Sequence, residues 1–307
     1  MDGRYKEWVE EQSNKCYIKN VNYYIENIKE MDICRSGRIG ARMGSESENA
    51  IIYSIELLGS RFALKIMPIL HEQSEKDNKN EIKIASEMSD LAIEEKCPFF
   101  LYMLRSGKCS NFIYPKEKSD MQMKATEYQH YLHVKSMIGD KVTPKNYKKL
   151  ASEYGIILGH IKEFPVNYMV LEMGLKDLSV WIRNEYRSDL MFIFLQHVLY
   201  ALKALAESGV MHNNLKLQDV IIVARGRECE RIACLADFGD TRKIEEENPE
   251  PIDYFSFIDE LDDALKNIDD RVSMLITLMA RMKHSDHNDS DNIDDFYDRI
   301  FEKYIFE

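Results

Sequence analysis

Past the first 35 positions of this chain β-forming segments come first and helical ones follow, an order that points to an α+β protein with separate lobes rather than to helices alternating with a parallel sheet. Between positions 36 and 69 lie Ala50-Ile51-Ile52-Tyr53-Ser54-Ile55 and Arg61-Phe62-Ala63-Leu64-Lys65-Ile66. Both runs are rich in β-branched and aromatic residues, and Leu58-Gly59-Ser60 between them reads as a hairpin turn. Then Ile84, Met88, Leu91 and Ala92 fall at the spacing of one buried helix face, which Cys97-Pro98 ends. A short hairpin is expected over 106–113 with Gly107-Lys108 at its turn, and an apolar strand over 166–173. A long amphipathic helix is expected from Asp189 to Glu207, its apolar face made of Leu190, Ile193, Phe194, Val198, Ala201, Leu202 and Leu205, with Gly209 as its stop. Strands at 220–223 and 232–235 flank an Arg-Gly-Arg turn.

Three segments divide the chain: a helical extension over 1–35, a β-rich lobe over 36–173, and a mainly helical, shortened lobe over 174–307 that ends in an acidic stretch. Residues 114–165, Lys-rich and without a sustained apolar pattern, read as an insertion in the β-rich lobe.

Charge and composition exclude several classes. With 41 Lys and Arg against 53 Asp and Glu, the net charge is −12, the opposite of the basic footprint that nucleic-acid phosphates require. No run approaches the roughly 20 apolar residues of a spanning helix, and the polar, acidic first residues do not resemble a signal peptide. Six cysteines at 16, 34, 97, 109, 229 and 234 show no metal-like pairing, so reduced thiols and a cytoplasmic location are expected.

The chemistry gathers late in the chain. Leu235-Ala236-Asp237-Phe238-Gly239 runs a strand into an Asp suited to ligate magnesium, an aromatic anchor and a flexible Gly. Upstream, after the long helix, comes Met211-His212-Asn213-Asn214-Leu215-Lys216-Leu217-Gln218-Asp219-Val220, with 25 residues from His212 to Asp237. Together the two segments resemble the catalytic loop H-R-D-L-K-x-x-N-V and the D-F-G of protein kinases. The chain is similar to the divergent Ser/Thr kinases of large DNA viruses, of poxvirus and iridovirus type, over residues 36–280.

That resemblance implies a two-lobed protein-kinase-like fold with ATP and Mg2+ as cofactors. Lys65, in Ala63-Leu64-Lys65, is matched to the Lys on the α- and β-phosphates, and Glu81 to its helix partner, with Glu87 as fallback. Gly44, Ile51 and Ala63 match the nucleotide cover. Glu172 and Met173, in Val170-Leu171-Glu172-Met173-Gly174, match the hinge that holds adenine. Asp219 and Asp237 are the implied metal ligands; Asn214 and Lys216 take the catalytic positions. Asp177-Leu178 resembles a helix opening, and Asp253-Tyr254-Phe255-Ser256-Phe257 the buried Asp at a later one.

Four departures bear on activity. Of the Gly-rich loop only Gly44 remains, with Glu46 and Asn49 in place of glycines. Asn214 stands where the catalytic Asp belongs, and an amide orients a hydroxyl without accepting its proton. Asp219 replaces the metal-binding Asn, a mild change for a hard cation. Only 13 residues lie between Gly239 and Asp253, leaving little room to dock a peptide. Three readings stay open: an ATP–Mg-binding kinase of reduced activity toward a protein hydroxyl, a pseudokinase that binds a protein partner, and a small-molecule kinase. His71-Glu72 reads as a solvated helix start rather than a zinc motif, and the 286–297 tail as solvated acid rather than a calcium loop.

Overall fold

The structure is a computed structural model that describes residues 21–35, 39–43, 50–94, 96–113, 120–159, 161, 163–225, 229–244, 252–266 and 268. The expected Gly-rich loop at 44–49, most of the segment after Asp237-Phe238-Gly239 and the acidic tail lie outside these residues, as do positions 1–20. The protein is α+β and divides into two units: Tyr23–Ile82 with Met103–Glu172, and Lys83–Tyr102 with the chain from Met173 onward. The chain divides in sequence at Glu172/Met173, and 83–102 belongs with the later unit.

The β-rich unit carries a five-stranded antiparallel sheet in the order β1-β2-β3-β5-β4. Its strands are β1 (Ile39–Met43), β2 (Ile51–Leu57), β3 (Ser60–Pro68), β4 (Met103–Ile113) and β5 (Glu163–Leu171). In β2, Ile51, Tyr53, Ile55 and Leu57 point to the core while alternate residues are less buried, the two-residue period of a sheet with one covered face. Leu58 and Gly59 close the β2–β3 hairpin with φ of 52° and 74°, and Leu57 pairs with Ser60. Two positive φ angles in a two-residue loop match the right-handed twist of the flanking strands. β3 lies between β2 and β5 and is buried from Phe62 to Pro68.

The sheet corrects the hairpin expected at Gly107-Lys108. β4 is one continuous strand, and Gly107 sits inside it opposite Tyr168. A Cβ there would lie 2.7 Å from the Tyr168 hydroxyl, so the glycine admits a ring rather than making a turn. The helix α1 (Val21–Lys29) adds Tyr24, whose ring meets Phe62 edge-on at 5.3 Å, and the Arg105 guanidinium donates to the Ile28 carbonyl in its last turn and to the Met31 carbonyl beyond it. Cys34 is disulfide-bonded to Cys109 of β4, 75 residues on, which corrects the expectation that all six thiols are reduced. Closing a loop of that length stabilises a fold by about 4 kcal/mol in the chain-entropy account. Cys97 and Cys234 are buried, and the Cys234 thiol donates to the Pro98 carbonyl.

The stretch read as an insertion without a core has one. Its helices α3 (Asp120–Ile138) and α4 (Tyr147–Glu153) enclose Val134, Val142, Tyr147 and Ala151, with Tyr131, Ile138 and Leu150 packed against them. Its last residues, from Glu163, are already β5. The helix α2 (Glu72–Ile93) begins on a reciprocal cap: the His71 N–H donates to Ser74 Oγ at 3.0 Å, and the Ser74 N–H to His71 Nδ1 at 2.9 Å. His71 is thus a cap, as the helix-start reading of His71-Glu72 requires.

In the helical unit a three-stranded sheet runs β6 (Lys176–Asp177), β8 (Val220–Arg225) and β9 (Cys229–Leu235), and β7 (Val210–Met211) pairs with β10 (Arg242–Lys243). The Asp177 carboxylate accepts the Val180 N–H at 2.8 Å and caps α5 (Leu178–Glu185). The helix α6 (Ser188–Glu207) is buried more widely than one stripe: Met191, Leu195, His197, Leu199 and Lys203 are covered, while Ile193, expected inside, is 40% exposed. By length and composition alone α6 is apolar enough to cross a membrane, but most of it is buried inside the protein, as a core helix is, which agrees with the expectation of no membrane span. Arg225, expected in a turn, is fully buried. Its guanidinium donates to the Pro98 and Phe100 carbonyls and lies 3.9 Å over the Tyr102 ring.

His197 makes this core acid-sensitive. It stacks on Phe99 at 4.2 Å and accepts the Ala233 N–H on Nδ1 at 3.2 Å. Burial, with the Arg225 charge as a smaller cause, pushes it down to about 3 from 6.5. The native state holds it neutral, whereas the unfolded chain protonates it below about 6.5. The stability this provides is therefore present above pH 6.5 and lost progressively as pH falls toward 3. Between pH 7 and 5 the loss is about 2 kcal/mol at 1.36 kcal/mol per pH unit. Urea denaturation at both pH values should show this loss in the parent and a loss about 2 kcal/mol smaller in His197→Gln; equal losses would refute it.

Candidate functional site

Lys65 comes from the middle of β3, where its neighbours across the sheet are Ile52 and Met169. Glu81 comes from α2, and its carboxylate is paired with the Lys65 ammonium. Both residues are buried, at 6% and 7% exposure. The 16-residue spacing expected for the pair thus produces a direct contact. The fallback Glu87 is excluded as the partner of Lys65: it is exposed and lies 3.7 Å from Lys83 one helical turn away. In the same unit Ile51 and Ala63 are buried in β2 and β3, Ala63 pairing with Leu171, and Glu172 is buried just after β5. Met173 is half-buried, and Gly44 lies outside the described residues.

The second cluster is built on backbone. Asp253, at the start of α7 (Ile252–Leu265), accepts the His212 N–H and the Asn213 N–H, both at 2.6 Å. Burial raises its carboxyl above the ordinary range, opposed by His212 and by these two amides. The His212 ring meets the Ala236 carbonyl through Nε2 at 2.9 Å and tilts against Phe238 at 5.6 Å. Ala236 in turn donates its N–H to the Asp219 carbonyl at 2.9 Å, and Asp219 Oδ2 accepts the Lys216 N–H at 2.9 Å. A structural role for His212, rather than proton shuttling, follows from its burial and these contacts.

These bonds bring Asp219 near Asp237. Burial first, then the neighbouring Asp237 carboxylate, pushes Asp219 up to about 6, against the opposite pull of His212 and Lys216. Asp237 is held at φ 61° and ψ 67°, a left-handed conformation that Asp tolerates better than most residues. No three His, Cys, Asp or Glu side chains among the described residues gather as a protein-only metal cage. Two mutually repelling carboxylates nevertheless suit magnesium, which takes one or two carboxylates and fills its other positions with water and phosphate oxygens.

Asn214, at the expected catalytic position, is exposed, and its amide Nδ2 donates to Asp240 Oδ2 at 2.7 Å. Neither this carboxylate nor Glu260, which accepts the Leu217 N–H at 2.8 Å, was anticipated from the sequence. Asp240 immediately follows Gly239 but belongs to no recognisable pattern, and the Glu260 contact spans 43 residues. Lys216 is exposed on the same loop.

No protein-family model matches this chain, and no curated protein matches it.

Proposed function

We propose that the protein is a kinase-like ATP–Mg-binding protein with a two-lobed kinase-like fold, of the Ser/Thr type found in large DNA viruses, whose phosphate transfer is reduced or lost. The observation that carries this reading is the buried Lys65–Glu81 pair. Removing two charges from water is costly, and packing alone is served as well by apolar residues. A cation fixed by a helix carboxylate within a sheet is instead suited to hold phosphate oxygens. In this reading Lys65 binds the α- and β-phosphates, Asp219 and Asp237 bind magnesium, Glu172 and Met173 meet the adenine, and Lys216 offsets charge on the transferred phosphoryl group. Bound ATP supplies that group, and the acceptor is the hydroxyl of an unidentified protein. Because phosphoryl transfer passes through a loose transition state, losing the base at position 214 lowers the rate without forbidding the reaction.

A second reading, a pseudokinase that engages a protein partner, is favoured by one observation: the Asn214 amide is already engaged by Asp240. Thermal denaturation with ATP, with and without magnesium, tests nucleotide binding. ATP–Mg at 100 times its dissociation constant stabilises the fold by about 2.7 kcal/mol, and no shift at millimolar nucleotide would remove the first reading and leave the second as a partner-binding module that works without nucleotide. Transfer from labelled ATP that vanishes in Lys65→Met selects the first reading. Binding without transfer selects the second.

A further inference from the structure

We propose that Asp240 is the proton acceptor for phosphate transfer, replacing the carboxylate that position 214 lacks; this rests on the ATP–Mg reading above. Three observations lead to it. Asn214 occupies the place of the base and cannot accept a proton. Its Nδ2 donates to Asp240 Oδ2 at 2.7 Å, so a carboxylate lies one hydrogen bond from the atoms that would meet the acceptor hydroxyl. Asp240 is also exposed, which leaves Oδ1 open to that hydroxyl.

The local fold keeps both partners in place. Asn214 follows directly on the two amides held by Asp253. Asp240 ends the short 3-10 turn Phe238–Asp240, whose Phe238 is buried against His212 and Phe100 and whose Phe238 carbonyl accepts the Thr241 N–H at 3.3 Å. An amide donating to a carboxylate also fixes its own flip, because the Nδ2 side must face the acid. Asn214 Oδ1 is then the atom that can accept from and orient the hydroxyl. Position 214 and position 240 thus divide between them what one Asp does elsewhere: the amide orients, the neighbouring carboxylate takes the proton.

The step balances with ATP and a protein hydroxyl as the only reactants. Asp240 takes the hydroxyl proton as the hydroxyl oxygen bonds to the γ-phosphorus. The bond from that phosphorus to the bridging oxygen breaks, and its electron pair leaves on ADP. Asp240 then returns the proton to water.

The test compares the full chain with Asp240→Asn and with the exchange variant Asn214→Asp/Asp240→Asn. Three readouts are used: transfer from labelled ATP, the ATP–Mg thermal shift, and the side-chain amide resonance of Asn214. Asp240→Asn is expected to lower transfer on the order of 100-fold, the low end of what a positioned base contributes, while leaving the ATP–Mg shift intact and moving the Asn214 amide resonance. The exchange variant should recover transfer, because it places an acid at one position and its amide partner at the other. Transfer by Asp240→Asn at the parent rate overturns the assignment, as does an unmoved Asn214 resonance. A parent that binds ATP–Mg without any transfer overturns it too and leaves the pseudokinase reading standing. A parent with no ATP–Mg shift removes the nucleotide reading itself, and the assignment with it.

Discussion

Asp253→Ala is expected to destabilise the helical unit by about 2 to 6 kcal/mol, since each buried polar group left without its partner costs about 1–3 kcal/mol. The side chain accepts two amide hydrogens, from His212 and Asn213, at 2.6 Å each. Truncation leaves both N–H groups facing a carboxylate-sized void. Asn213 is also held at φ 68°, which keeps the two amides convergent on one acceptor. Asp253→Asn should restore only part of the loss: its one carbonyl oxygen satisfies one amide, and its NH2 opposes the other. Since whole domains are stable by only about 5–15 kcal/mol, the effect should be plain in a urea midpoint. Asp263→Ala, an exposed position on the same helix, is the control and should stay within about 0.5 kcal/mol. A loss below about 1 kcal/mol in Asp253→Ala would show that water or a neighbour satisfies the amides.

Features set by local chemistry were legible in the sequence. The turn at Leu58-Gly59 and the stop at Gly209, with φ of 69°, depend on a few neighbouring residues, and the structure places both where the pattern put them. Lys65 with Glu81 was reached through the resemblance of Ala63-Leu64-Lys65 and the following helix to kinase motifs, since that helix carries several other carboxylates that local chemistry alone does not rank. Features decided by distant contacts were not legible. Gly107 looks like a turn residue until Tyr168, 61 positions later, is laid opposite it. Cys34 and Cys109 meet because β4 forms an edge of the sheet, a position that depends on the whole strand order. Arg225 sits in a run that reads as a turn, and only the carbonyls of Pro98 and Phe100 explain why a cation is buried there.

The same division separates the parts of the candidate site. Residues 65, 81, 219 and 237 were picked out by the resemblance of the short motifs around them. What Asn214 does depends on Asp240, and a hydrogen bond between side chains 26 residues apart has no signature in spacing. Reading Asn214 alone suggests a lost base; reading it beside Asp240 gives a pair with an amide and an acid in exchanged places.

Lys65→Met should act on stability and on nucleotide together, and the two effects can be separated. Removing the ammonium takes the Lys65 charge away from the buried Glu81 in the β-rich unit, and breaking a buried pair from one side costs about 3–5 kcal/mol. The double variant Lys65→Met/Glu81→Met removes both charges and fills the space with side chains of similar length. It should regain most of that stability, since replacing a whole buried pair by apolar residues is often neutral or better. Nucleotide binding should not return, because the apolar pair offers nothing to phosphate oxygens. The parent is therefore expected to be stabilised by ATP–Mg, and the double variant to be as stable as the parent yet unresponsive to ATP–Mg. A double variant that still responds would show that Lys65 does not touch the nucleotide. A single variant within about 1 kcal/mol of the parent would show that Glu81 finds another cation or takes up a proton. In either case the buried pair would lose its place as the observation on which the functional reading rests.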